Sequence, residues 1–88
     1  QRTASGESYD MHGMTAAVPR ALGIKFGERI RVRHLRTGKT VTLRVNDTMP
    51  HIWYNKGRLA DVSYAAANKL GMIKEGIIWA EIQGISAL

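Results

Sequence analysis

The run Arg29-Ile30-Arg31-Val32-Arg33-His34-Leu35-Arg36-Thr37-Gly38-Lys39-Thr40-Val41-Thr42-Leu43-Arg44-Val45 decides the architecture. Ile30 and Val32 alternate with arginines, and Val41, Leu43 and Val45 alternate with Thr40, Thr42 and Arg44. A period of two belongs to a strand with one buried face and one wet face. Between the runs, Arg36-Thr37-Gly38-Lys39 supplies turn chemistry, so the pair predicts a β-hairpin. Arg29, Arg31 and Arg33 read as the wet face of the first strand, within a basic run that continues through His34 and Arg36. The second strand delivers Asn46 and Asp47 at its end, ahead of Thr48-Met49-Pro50.

Working outward, residues 51–58 hold Trp53, Tyr54 and Gly57 and read as a long loop. Leu59 to Val62 reads as a short strand. Ser63 then stands where a helix N-cap belongs, ahead of Tyr64-Ala65-Ala66-Ala67-Asn68-Lys69-Leu70, and Gly71 suits the left-handed stop. One helix of about two turns is expected there. Ile78, Ala80 and Ile82 alternate with Trp79, Glu81 and Gln83 as a closing strand. Upstream, Arg2 to Gly13 is a loop carrying Glu7, Asp10 and His12. Met14 to Val18 is a short apolar strand that Pro19 ends or confines to a sheet edge. The chain is therefore mainly β with one short α-helix, and closing such a sheet into a barrel removes exposed edges.

Eighty-eight residues make a single domain, 1–88, with a thin core. Hydrophobic residues at 44% and charged residues at 23% exclude a disordered or collagen-like chain. No apolar run approaches a membrane span. The first residue is Gln1, which reads as the start of a mature or trimmed fragment. Without cysteine there is no disulfide framework, thiolate metal site or cysteine nucleophile. His12, His34 and His51 are not spaced as zinc ligands, and no phosphate-binding glycine loop is present, so no metal or cofactor is expected. A net charge of +6 and a pI near 10.2 attract polyanions. Nucleic acid is the weakest of these, because the basic hairpin carries no interleaved aromatic residues.

Several segments occur together in the order of a known family: Thr3-Ala4-Ser5-Gly6-Glu7, Met14-Thr15-Ala16-Ala17, Val45-Asn46-Asp47 with Pro50, Gly57-Arg58-Leu59-Ala60-Asp61-Val62-Ser63, Ala65-Ala66-Ala67 and Leu70-Gly71-Met72. The chain resembles the double-psi β-barrel domain of the rare lipoprotein A family of septal lytic transglycosylases, related to barwin, expansins and family 45 endoglucanases. The resemblance implies a six-stranded barrel with an open groove. It also implies cleavage of peptidoglycan glycan lacking stem peptides, leaving anhydro-muramyl ends, with no cofactor. It places the protein in the bacterial cell envelope, periplasmic or secreted, with a lipoprotein anchor upstream of this segment. Asp47 is the implied acid and Glu7 a second implicated carboxylate, while Ser5 and Asn46 lie in the same motifs as substrate-binding candidates. Three departures stand out. Val18 occupies the place of a family histidine, Thr48-Met49 replaces an Arg-Gly pair beside the acid, and the family's first strand is missing ahead of Thr3.

The chemistry explains why these types matter. Glycosidic cleavage needs a carboxylic acid to protonate the departing oxygen. A lytic transglycosylase uses the substrate's own muramyl 6-hydroxyl as nucleophile, so one acid suffices where a hydrolase needs two carboxylates. Asn-Asp pairs also cap turns, which is the structural reading of Asp47. His12 is the candidate to replace the missing imidazole. Trp53 and Tyr54 are candidates to stack on sugar faces, and Trp79 points either to a groove or outward. The substitution at Val18 sustains a second expectation: a non-catalytic barrel that binds glycan or cell wall, or inhibits a protein.

Overall fold

The computed structural model describes residues 1–85, so residues 86–88 of the expected domain lie outside the described residues. Five strands form one sheet: β1 (Thr15–Val18), β2 (Arg29–His34), β3 (Thr40–Thr48), β4 (Asp61–Val62) and β5 (Ala80–Ile85). Their order is β4-β1-β3-β2-β5. β1 runs parallel to β3, and every other neighbouring pair is antiparallel. The hairpin is β2–β3, with Ile30 opposite Leu43 and Val32 opposite Val41. Its inward residues join Ala16, Val18 and Val45, and Ala66 and Leu70 close the core from one side.

Two features of the sheet differ from expectation. The described residues supply five strands rather than six, and the sheet is open, with β4 and β5 at its edges. The segment before β1 contributes only an isolated bridge between Arg2 and Ser8. β1 is an interior strand, and Pro19 stands just beyond it, where the missing N–H breaks no ladder bond.

Among the described residues there are two α-helices, not one. α1 (His51–Asn55) occupies the segment expected to be a loop, and α2 (Tyr64–Lys69) is the expected helix. Pro50 sets the entry to α1 with its fixed φ, and Gly57 at φ 88° takes the chain out of it. No side chain caps α1, so the usual start signal is absent from its sequence. A 3-10 turn, Arg20–Leu22, follows Pro19.

Ser63 does more than cap α2. Its Oγ accepts from the Ala66 amide at 3.3 Å and from the Thr15 amide at 3.4 Å, and donates to the Gly13 carbonyl at 2.6 Å. The residue is buried, so Ser63→Ala leaves three backbone groups without that partner. The expected cost is about 2 kcal/mol, read as a lower urea midpoint at unchanged slope.

Candidate active site

The site is built where the amino-terminal loop folds across the end of β3. Thr3 and Glu7 close the loop, with the Thr3 amide donating to the Glu7 carbonyl at 2.8 Å, and Gly6 takes φ 92° to make the turn. The Ser5 amide donates to the Asn46 carbonyl at 3.2 Å. The Ala4 amide donates to Asp47 Oδ1 at 2.9 Å. The last two bonds join residues more than forty positions apart in sequence, so the loop and β3 form one unit.

A β-bulge prepares that end of β3. Ala16 partners Val45 and Ala17 partners Asp47, leaving Asn46 without a partner of its own in β1. Such a bulge resets strand alternation and re-aims the side chains that follow. Val45 and Asn46 are consequently both buried in succession, and Asp47 is half-buried beside them. Asp47 Oδ1 accepts a second bond from the Thr48 amide at 2.8 Å. Two backbone donors thus hold one carboxylate oxygen, and no hydrogen bond to Oδ2 occurs among the described residues.

Glu7 is held differently. Arg44 grips both its oxygens, Nη2 donating to Oε1 at 2.8 Å and Nη1 to Oε2. The Asn46 amide adds a long bond of 3.5 Å to Oε1. The Arg44 hydrogen bond lowers the Glu7 pKa to about 2, outweighing desolvation, with smaller help from the Asn46 amide, the guanidinium charge and the Ser5 hydroxyl. At neutral pH Glu7 is an anion neutralised by its partner, and it holds no proton to donate. Arg44 was not legible as a site residue, because strand alternation places it on the wet face; only the folding of the loop across β3 reveals its role.

A carboxylate with a depressed folded-state pKa stabilises the fold above its unfolded value, and that contribution is lost as pH falls through the folded one. The stability difference between wild type and Glu7→Gln should therefore be full above pH 4.5 and vanish as pH approaches about 2. Urea melts of both proteins across that window measure it. A difference that persists at the acid end would contradict the pairing.

The remaining candidates separate. Ser5 supports the loop through its hydroxyl, 2.8 Å from that of Thr3, and its Oγ also accepts from the Glu7 amide at 3.5 Å. His12 lies exposed on the turn after Asp10, whose Oδ1 accepts its backbone amide at 2.9 Å. Among the described residues its imidazole bonds to neither carboxylate. Val18 is 2% exposed and packs in the core, one residue along β1 from the partner of Asp47. It is a core residue.

Trp53 and Tyr54 ride on α1. The Arg58 guanidinium lies 4.4 Å from the Trp53 ring centre and the Lys56 ammonium 5.4 Å from it, so cations already engage this ring. Tyr54 is half-buried against His51, with ring centres 6.0 Å apart. Arg20, Thr48, Met49, Pro50 and His51 line a hollow of about 370 Å³ that begins at the residue after Asp47. A larger groove of about 930 Å³ shares Met49 and Pro50 with it and runs past Trp53 and Arg58 to Ile77 and Trp79.

His34 is a buried polar residue on the hairpin, turned inward from the arginines beside it. Ile30, Val32 and His34 share one parity, and all three are buried. The Arg36 amide donates to His34 Nδ1 at 3.2 Å, so Nε2 carries the proton facing Glu75 Oε1 at 3.0 Å. That bond, with a second from Arg36, lowers the Glu75 pKa. The cluster fastens the hairpin end to the segment before β5 and lies apart from the carboxylates.

A family model described as lytic transglycolase matches residues 1–82. The endolytic peptidoglycan transglycosylase RlpA of Pseudomonas aeruginosa strain UCBPP-PA14 is 41% identical over 85 residues, covering 97% of this chain and 23% of that protein. The protein of the same name from Neisseria meningitidis strain MC58 is 40% identical over 85 residues, covering 97% of this chain and 33% of its own length. That from Vibrio cholerae is 39% identical over 84 residues, covering 96% of this chain and 30% of its own. The chain thus spans only 23% to 33% of the length of these curated relatives.

Proposed function

The chain belongs to the lytic transglycolase family, and from that premise we propose that it cleaves peptidoglycan glycan strands, with Asp47 as the general acid. One observation carries this reading: Asp47 is fixed by two backbone amides through one oxygen, while the other oxygen is free to carry a proton. Protonated at Oδ2, Asp47 donates to the glycosidic oxygen as the bond to the muramyl C1 breaks. The muramyl 6-hydroxyl then closes on C1, and its proton returns to the Asp47 carboxylate. No water is consumed, no net proton is lost, and the product is an anhydro-muramyl end. Electrostatic holding of the substrate supplies the rest.

Glu7 assists as a positioning residue. Its anion anchors Arg44 and Asn46 and ties the Thr3–Glu7 loop to the strand that carries the acid. Ser5 and Asn46 frame that loop, Trp53 lines the groove as the sugar-facing side, and Tyr54 stands beside it on α1. His12 is left with an auxiliary role at the rim. The domain over 1–88 acts on glycan in the cell envelope, and no helix among the described residues is long and apolar enough to cross a membrane.

The groove between β4 and β5 also fits the six-stranded barrel of the family. β4 and β5 are the two edge strands and both line this groove, with Leu59 and Ile77 exposed in it. A sixth strand laid there would pair with both edges and cover that apolar surface.

A second reading rests on Val18, which brings no imidazole to the site: a barrel that binds glycan without cutting it. Incubation with denuded glycan strands, followed by mass analysis of soluble products, separates the two. Anhydro-muramyl products support the lyase. Pelleting with the glycan at high protein concentration without any soluble product supports the binder and ends the lyase reading.

A further inference from the structure

One wall of the larger groove has no regular structure to hold it. Residues 71–79, between α2 and β5, supply Met72, Gly76, Ile77, Ile78 and Trp79 to the lining and contain neither strand nor helix. At the start of the segment the Gly71 and Met72 amides close α2, donating to the Asn68 and Ala67 carbonyls at 3.0 Å each. Further along, the Gly76 amide turns back to the Met72 carbonyl at 2.9 Å. A wall built this way stands where its remaining tie points put it.

The end of the β2–β3 hairpin supplies three such points. Lys39 Nζ lies over Gly71, 3.0 Å from where a Cβ would stand, and Gly71 adopts φ 70°. The Leu35 amide donates to the Trp79 carbonyl at 3.0 Å. Between these two, Glu75 Oε1 accepts from His34 Nε2 at 3.0 Å and from Arg36 Nη2 at 2.9 Å. Among the described residues Glu75 is the only side chain of residues 71–79 that makes a hydrogen bond. His34 is 2% exposed, and the Arg36 amide occupies its Nδ1, so the buried Nε2–H depends on Glu75 for an acceptor. His34 and Arg36 together lower the Glu75 pKa, which keeps this acceptor an anion at neutral pH. Neither His34 nor Glu75 lines the groove, so the pair can reach a bound strand only through the wall.

We propose that Glu75, gripped by His34 and Arg36, is a positioning residue for glycan: it sets where the wall of residues 72–79 stands relative to Trp53 and Arg58 in the same groove. The proposal rests on the glycan reading above and concerns how the strand is held. The tie lies apart from Asp47, so the contacts it controls are the same for the bound strand and for the transition state. Losing contacts of that kind raises KM and leaves kcat unchanged.

Two measurements test this: steady-state release of anhydro-muramyl ends from denuded strands, and cosedimentation with insoluble sacculi stripped of stem peptides. Glu75→Ala should raise KM and weaken pelleting roughly three- to tenfold, with kcat within roughly twofold of wild type. Glu75→Gln should recover most of that loss, because a carboxamide oxygen still accepts from His34 Nε2–H and Arg36. Arg36→Gln removes the exposed donor and leaves the buried bond intact, so it should shift KM the same way by less, in a variant whose urea midpoint stays near wild type. A merely structural role would lower the urea midpoint of Glu75→Ala without changing the KM of the folded protein. Unchanged KM and pelleting in folded Glu75→Ala overturns the proposal. So does an equal fall in kcat and kcat/KM, or a Glu75→Gln as weak as Glu75→Ala. Wild type that pellets without releasing product ends the lyase reading alone, and pelleting of Glu75→Ala then decides this one. Product release with KM and pelleting indifferent to Glu75 ends this one alone.

Discussion

Asp47→Asn is expected to reduce release of anhydro-muramyl ends from denuded glycan by at least roughly 100-fold, the usual contribution of a positioned general acid. The asparagine carbonyl oxygen can still accept from the Ala4 and Thr48 amides, so the loop stays on β3. What it lacks is a proton that can be surrendered and recovered. Asp47→Ala should lose activity equally, and stability as well, because two backbone donors then lose their acceptor at a cost of about 1–3 kcal/mol. Product analysis beside urea melts gives both quantities. Asn with wild-type product release would move the acid role elsewhere, and Asn that unfolds like Ala would show that the carboxylate is structural.

That pair of variants bears on how much of the site its sequence disclosed. Strict alternation made the hairpin legible, because one face of β2 and β3 is buried and the other is wet. Ser63 and Gly71 made α2 legible for the same kind of reason: each supplies the local group that a helix end demands. α1 offered no such signal, with five residues, two of them aromatic, and no side-chain cap. His34 was legible in principle by parity with Ile30 and Val32, but its place in a run of arginines hid it.

The carboxylate site divides along another line. Asp47 and Glu7 were named through family resemblance, and the fold brings their loop and strand together. Arg44 and the bulge at Asn46 are products of register, and register depends on which strands pair. β1 pairs with β3 across an intervening strand and turn, a nonlocal choice that no window of sequence displays. The functional consequence is physical: the bulge fixes where Asp47 falls relative to the loop, and Arg44 fixes the charge state of Glu7.

The largest effect on stability is expected from Leu43→Ala, and it separates folding from chemistry on a single strand. Leu43 is fully buried on β3, the central strand of the sheet, opposite Ile30 and within the cluster that includes Val41 and Val45. Truncation removes three buried carbons and leaves a cavity bounded by strands that are hydrogen-bonded on both sides and cannot collapse inward freely. The expected loss is about 3–4 kcal/mol. A domain of this size has a total stability on the order of 4–13 kcal/mol, so the variant should melt lower by roughly 12–30 °C. Its activity should fall only as the folded fraction falls, and cooling or a stabilising osmolyte should restore it. Asp47→Asn, four residues along the same strand, should stay inactive under those conditions. Leu43→Ala that melts like wild type would show that the site lies outside the core. Leu43→Ala that stays inactive when fully folded would mean that strain at the centre of β3 reaches the bulge and displaces the acid.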